Sequence, residues 1–578
     1  MISVSNEFKK AIKKPERQIK GYVEVLYDLP NQSYTPTVHI QSTYSSLEDL
    51  SNGSRVKNLY GSLDYLPLDG SYLTMDESNN ENIGYISDDI ANEYRFGIFG
   101  SFHYHFENPI TIKGITVYTR TNIVTDYTIV TTKSDNTQMV YYGSNDKEVI
   151  QYIYDSPVEI IDVYINFDGM DDCSKKIYVE YIDLGVSQVY KNQDLIEFTV
   201  DEEVNKLVEE VPINETNITL NNMSDLFNPL NPKGIVPYLS ENTLIRPFIG
   251  VLTENSGIEY VKMGEFYFDS YTNDSDSTTT LTGKNVIKQL EKEILKADNN
   301  YNLFKPTMSK SDFQTFMANY NYEFNNLDYS TINNIENINN KYLINLLKDI
   351  SFFNTTLFYA DRDNKLNLKN INTLIKDNLT KYELINDANY KKIDKINTLV
   401  YTSPSEHSMN STGSRLVYDR IITLETSPQY ILCESNLANM MDSIVHADGS
   451  DSVSVISQGY YFTFIKLTGT VGNTISIKMA SPYDIVETIA TQTKTTKLSN
   501  EKEIVLNFNS KLVRNINNIN TLNYTPSYEM RFDYNGDPSL EAGDYINVET
   551  PYGSKPLFIQ KNRFRFDGGL EGSIEGVE

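Results

Sequence analysis

Residues 531–578 constrain the fold most. Asn535-Gly536-Asp537-Pro538 packs turn-forming residues into four positions, where glycine permits left-handed backbone and proline presets φ. Gly543-Asp544 is a second turn signal. Tyr545-Ile546-Asn547-Val548 then alternates side chains as a strand does, and Pro556 to Lys561 predicts another strand. Arg563-Phe564-Arg565-Phe566 alternates again, and Asp567-Gly568-Gly569-Leu570 closes the run. Short alternating runs between turns point to β structure. The composition agrees: the chain has 43 Tyr and 25 Phe but no Trp, and both residues favour strands and bury large areas.

At 578 residues the chain is expected to form several domains. The formal net charge is −28, which argues against specific nucleic-acid recognition, because phosphate contacts need clustered Lys and Arg. Cys173 and Cys433 lie far apart with no CxxC or CxxH spacing, so neither a zinc site nor a disulfide framework is indicated. They are expected to be small buried apolar residues in a reducing compartment. The opening segment is basic but has no apolar core of a signal peptide. No apolar run reaches the length of a transmembrane helix, so no membrane anchor is expected.

The spacing of Phe8, Ile12 and Ile19 predicts an amphipathic helix within residues 3–20, ended by Pro15. A strand over 21–28 follows. Residues 59–187 read as a separate unit of short strands at 102–106, 110–118, 127–132, 149–154, 160–167 and 177–184, the pattern of a β-sandwich. Another strand spans 195–204. Leu226-Phe227-Asn228-Pro229-Leu230-Asn231-Pro232 and Gly264-Glu265-Phe266 come after it, and Gly283-Lys284-Asn285 enters a helix. Within 286–390 the stripes Val286, Ile287, Leu290, Ile294, Leu295 and Tyr342, Leu343, Leu346, Leu347, Ile350 predict a mostly helical stretch. A hairpin turning at Asp361-Arg362-Asp363-Asn364 follows. A second β-rich region starts near Ile393.

The order of these motifs over 1–45 and 191–578 resembles the tail-hub (baseplate hub) family of long-tailed bacteriophages. The inserted unit resembles a discoidin-like jelly roll. The resemblance implies a mainly β chain with α+β parts: two tail-tube-like β-barrels, an inserted β-sandwich and a small helix-plus-hairpin domain. The first barrel takes residues 1–45 plus 191–285, the sandwich 46–190, the helix-plus-hairpin domain 286–390, and the second barrel 391–578, interrupted at about 425–500. The family implies a structural, non-enzymatic homotrimer in the virion tail, assembled in the host bacterial cytoplasm. Its partners would be the tail tube or distal tail protein, the tape-measure protein and other baseplate or tip proteins, with a cell-surface glycan as a further partner. The resemblance implies that a trimer of two-barrel chains would form a six-fold-like ring through which DNA or tape-measure protein would pass. A carbohydrate-binding adhesin acting through the jelly roll is the alternative, and a tail-associated hydrolase the third reading. An acidic bore would keep DNA from sticking, with Lys9, Lys10, Lys13 and Lys14 held away from it against acidic neighbours.

Candidate sites are few. His103, His105 and Glu107 alternate on one strand face and offer metal-ligating atoms; the competing reading is the polar outer face of a sandwich strand. Asp168, Asp171 and Asp172 lie in a glycine-containing loop that offers oxygen ligands to calcium, though the spacing departs from the twelve-residue calcium loop. Asp69-Gly70-Ser71 and Asp88-Asp89 offer a second such chance. No other cofactor is expected. Tyr65, Tyr72 and Tyr85 would stack on sugar rings if exposed; the competing reading is a core or interface role. The sequence carries five His and no HExxH, GxSxG or Walker motif, which leaves catalysis without support.

Overall fold

The computed structural model describes residues 2–577 apart from 28–36, 39–41, 45–84, 88–100, 172–176, 206–210, 295–306, 334–341, 409–414, 435–451, 494–500, 506–527 and a few positions elsewhere. The described chain is mainly β. Its largest element is a 14-stranded sheet. From one edge the strands run Val186–Lys191, Ile19–Tyr27, Leu244–Thr253, Phe266–Ser275, Thr278–Lys284, Glu215–Asn221, Leu195–Glu203, Gly553–Phe566, Leu570–Val577, Tyr528–Tyr534 and Asn389–Lys392. Gly257–Lys262 pairs with Leu244–Thr253, and Tyr545–Thr550 with Gly553–Phe566. Ile375–Leu379 runs parallel to Tyr545–Thr550.

The sheet has two lobes joined at one seam. The first lobe ends at Leu195–Glu203 and the second begins at Gly553–Phe566. These strands pair antiparallel, with Phe198 opposite Phe566 and Val200 opposite Phe564. Alternation explains the join: Phe198, Val200, Phe564 and Phe566 all point to one side and enter one buried cluster shared by both lobes. The two expected barrels are therefore continuous here, with one hydrogen-bonded sheet and one core.

Several expected boundaries move. Val186–Lys191 belongs to the large sheet although 46–190 reads as the insertion. Ile375–Leu379 and Asn389–Lys392 also join it, although 286–390 reads as a separate unit. The strands from Lys395 to Val505 form sheets of their own, so this interruption is wider than 425–500.

The first helix is shorter than predicted, covering Asn6–Ile12, with the Ser5 side chain accepting from Phe8 N as its cap. The Arg17 guanidinium holds the following turn by donating to the carbonyls of Ile12, Asn535, Gly536 and Leu570. Ile19 consequently opens a strand rather than closing the helix. The stretch expected to be mostly helical holds two helices of more than one turn among its described residues, Lys310–Ala318 and Leu343–Asn354. Phe313, Phe316, Leu343, Leu346, Leu347 and Ile350 pack them into a small core with the hairpin Thr356–Ala360 and Leu366–Asn370.

The inserted unit is an eight-stranded sheet folded over its own core of Phe102, Tyr104, Ile112, Ile129, Val163 and Ile165. Its two central strands are long: Ser101–Thr119 and Val149–Met170 each cover what the sequence reads as two strands. Register shifts between His105 and Ile110 and between Ile112 and Gly114 mark where they bend. The unit abuts the large sheet through a polar seam. Thr116 Oγ1 donates to the Gly185 carbonyl at 2.9 Å, Gln151 Nε2 donates to the Ser187 carbonyl at 2.7 Å, and Val186 lies within the shared core. Removing residues 59–187 as one piece would take away Val186 and Ser187, which pair with Tyr27 and Leu26.

Gly572 illustrates how closely the second lobe packs. A Cβ there would lie 2.2 Å from the Tyr534 ring, which is fully buried. Gly572→Ala is expected to cost about 1–3 kcal/mol by overpacking, seen as a lower midpoint in chemical denaturation. An unchanged midpoint would mean that the ring yields freely.

Candidate functional site

The most heavily built polar site lies where three parts of the chain meet. Arg362 sits in the hairpin turn and is 6% exposed. Its Nε donates to Glu202 Oε1, on the last strand of the first lobe. Its Nη1 donates to the Pro538 carbonyl and its Nη2 to the Leu540 carbonyl at 2.9 Å, both on the second lobe's turn. Its Cζ lies 5.6 Å from the centre of the Phe564 ring. One guanidinium thus fastens the hairpin to both lobes, a task suited to a planar fork of five donors.

The turn that receives Arg362 is shaped by its own sequence. Gly536 and Gly543 take φ of 75° and 96°, the left-handed region that glycine enters without strain. Asp537 accepts from Ser539 N at 2.9 Å and Ser539 Oγ at 2.7 Å, closing an Asx-type turn. Asp544 accepts from Glu541 N. Asn562 Nδ2 donates to the same Leu540 carbonyl at 3.2 Å, while Tyr534 Oη donates to Asn562 Oδ1. Burial pushes the Asp537 carboxyl up, against the bonds from Ser539. Burial likewise pushes the Glu202 carboxyl up, and the Arg362 charge opposes that rise. Arg362 itself stays firmly charged: the neighbouring Glu202 carboxylate outweighs the opposing effect of burial.

A second ion network lies alongside. Glu265 accepts from Arg246 at 2.8 Å and from Lys262 at 3.1 Å, and Lys262 also pairs with Asp363 of the hairpin turn. Burial pushes the Glu265 carboxyl up, but Arg246 and Lys262 outweigh it and hold it at about 2. A folded-state value below the usual 4.5 means the stabilisation is present above pH 4.5 and is lost as pH falls towards 2. Its size is on the order of 3 kcal/mol. Acid titration of Glu265→Gln beside the parent chain is expected to show a shallower stability loss between pH 4.5 and 2 in the variant. Parallel curves would exclude this origin.

Both networks pair their charges internally, so their chemistry is that of a clasp. They supply no nucleophile–base arrangement. The sequence signals were weak: Glu202-Glu203 is one of many acidic pairs, and Arg362 reads only as a turn residue.

The predicted site residues fare unevenly. His103 Nε2 and His105 Nδ1 both reach Asp162 Oδ1, at 2.9 and 2.8 Å. Sequence spacing had not pointed to Asp162; its carboxyl is pushed up by burial yet held low overall by the two histidines. Glu107 is exposed in the register break. Among the described residues no group of three His, Cys, Asp or Glu is placed to hold a metal ion. Asp168 accepts from Thr128 Oγ1, and Asp171 accepts from Ile123 N at 3.0 Å. These two carboxylates serve neighbouring strands. Asp172, Asp69-Gly70-Ser71, Asp88-Asp89, Tyr65, Tyr72 and Cys173 lie outside the described residues. Tyr85 takes the core role of its two readings: it is fully buried, edge-on to Phe102 at 4.8 Å. Cys433 is buried.

No protein-family model matches the chain, and no curated protein matches it. Among solved structures, it is similar to the 43 kDa tail protein of prophage MuSo2 from Shewanella oneidensis, at 9% identity and a TM-score of 0.36, covering 68% of this chain and 96% of that one. A tail protein from Neisseria meningitidis MC58 gives 9% identity and a TM-score of 0.36, covering 67% and 93%. A prophage tail protein from Listeria monocytogenes EGD-e gives 9% and 0.34, covering 67% and 91%.

Proposed function

We propose that this chain is a structural hub protein of a bacteriophage tail or of a phage-derived tail particle. Three copies form a ring that joins the tail tube to the tip and lets DNA or tape-measure protein pass. The observation that carries the proposal is the two-lobed sheet: the segments whose motif order resembles hub proteins, though far apart in sequence, share one core. Two lobes per chain and three chains present six similar units to a six-fold tube, and closed head-to-tail contacts of this kind leave no open edge for unlimited growth. The neighbours in the particle would be the tube or distal tail protein, the tape-measure protein and other baseplate parts, and no catalytic step is required. The ring's inner wall is acidic to neutral, in keeping with the net charge of −28. Two of the N-terminal lysines already face acids within the chain: Lys13 meets Asp377 at 2.7 Å and Glu383 at 3.7 Å, and Lys14 meets Glu254.

Mass measurement by light scattering tests the proposal. A species of three times 66.1 kDa is expected. A monomer at every concentration, or six copies of the chain in a particle's hub ring, would overturn it.

A further inference from the structure

The sandwich sheet ends in the strand Gln138–Ser144. It pairs with Val124–Lys133 on one side, and among the described residues no strand pairs with it on the other. The ladder decides which of its backbone groups are left over. Asn145 N donates to the Thr125 carbonyl at 2.7 Å and Lys133 N donates to the Thr137 carbonyl at 2.9 Å. Antiparallel ladders alternate, so the odd-numbered residues of this strand turn their backbone groups inward. Gln138, Val140, Tyr142 and Ser144 turn theirs outward, to the open edge. The side chains of Val140 and Tyr142 stand on the face away from the core, beside Val130 and Thr128, and are 49% and 78% exposed. Tyr141 lies on the other face, stacked on Tyr152 at 4.1 Å.

Open strand edges are usually blunted by lysine, proline or shortness. Asn389–Lys392, which ends the large sheet, follows that rule: it is 4 residues long and carries Lys391 and Lys392. The sandwich edge does not. Its 7 residues, QMVYYGS, hold no charge and no proline, in a chain of net charge −28.

We infer that this edge is a self-complementary docking strand for a second copy of the chain, the two strands pairing antiparallel about Tyr141. One register engages all four outward-turned residues: Val140 lies opposite Tyr142 of the other copy and Gln138 opposite Ser144, each pair occurring twice. Four such pairs exchange about eight backbone hydrogen bonds. A slip of the register in either direction loses a pair. In this register the exposed Val140 and Tyr142 cover each other, and an aromatic against a β-branched residue is a favourable cross-strand pair. Tyr141 meets its own copy at the close, non-hydrogen-bonded spacing. Beyond the strand ends, Lys147 of one copy comes to the end where Asp135 lies in the other, with opposite sign. Two acidic chains thus meet along strands that carry no like charges. A contact of one strand pair is small, so the association is weak and depends on concentration. It does not rest on the ring: free chains would join as two copies, and rings of three would join in pairs about two-fold axes.

Light scattering from low to high micromolar concentration tests the inference on the full chain. The mean mass of the parent is expected to double over that range. Tyr142→Pro removes an outward N–H and sets its ring against the incoming strand, while the bonds to Val124–Lys133 use the odd-numbered residues and remain. This variant is expected to keep the parent's melting temperature and to stay at its low-concentration mass. A cysteine pair checks the register, and decides alone should the proline unfold the sandwich. Under mild oxidation Tyr141→Cys is expected to cross-link two copies several-fold faster than the parent or Val140→Cys, because Tyr141 alone sits opposite its own copy, at a Cα spacing of about 4.5 Å that a disulfide spans. A parent mass that does not rise, a folded Tyr142→Pro chain that still doubles, or Val140→Cys cross-linking as fast as Tyr141→Cys would overturn the inference. The doubling reports on this edge, and the absolute mass at low concentration reports on the ring alone.

Discussion

Arg362→Met is expected to destabilise the chain by about 3–5 kcal/mol, because it leaves the Glu202 carboxylate buried without its partner. The loss should be concentrated at the junction. Hydrogen exchange is expected to speed up first in the Pro538–Ala542 turn, where the Pro538 carbonyl loses its Arg362 donor and the Leu540 carbonyl keeps only Asn562, and in the hairpin turn at Asp361–Asn364. Adding Glu202→Leu is expected to recover much of the stability, since an apolar pair of similar size removes the desolvation cost altogether. If the single variant melts like the parent, the clasp does not hold the lobes. If the double variant is worse than the single one, the buried charge is not the cause.

Phe198→Ala is expected to cost about 3–5 kcal/mol. Phe198 is fully buried on the seam strand, opposite Phe566, with the ring centres 5.3 Å apart. Removing it opens a cavity where the lobes share their core, so both should loosen together. Faster exchange in Leu195–Glu203 and Gly553–Phe566 at once, with the sandwich unaffected, is the expected pattern. Loosening of one lobe alone would show that the seam is only an edge contact.

Local rules made much of the β structure legible. Alternation placed Tyr545 to Val548 and Pro556 to Lys561 in strands, and the glycines of the closing turn take the left-handed φ that their positions require. Alternation also set His103 and His105 on one face. Long-range geometry was not legible. Nothing local says that Phe198 meets Phe566, or that Val186 belongs to the large sheet while Tyr181 stays in the sandwich. Asp162 was missed because its partners lie on another strand, 59 and 57 residues away. Arg362 was missed because a charged residue in a hairpin turn usually faces water. For Tyr85 both a core role and a surface role were open, because tyrosine serves in either, and its burial against Phe102 takes the core role.

The seam also sets an order of events during synthesis. Leu195–Glu203 leaves the ribosome long before Gly553–Phe566, its partner on that side. Throughout that interval the first lobe presents a bare strand edge, with Phe198 and Val200 uncovered beside it. Such an edge invites pairing with any other nascent chain. Its acidic outward residues, Glu197 and Asp201, later matched by Arg565 and Arg563, repel a second copy of the same strand while the lawful partner is still being made.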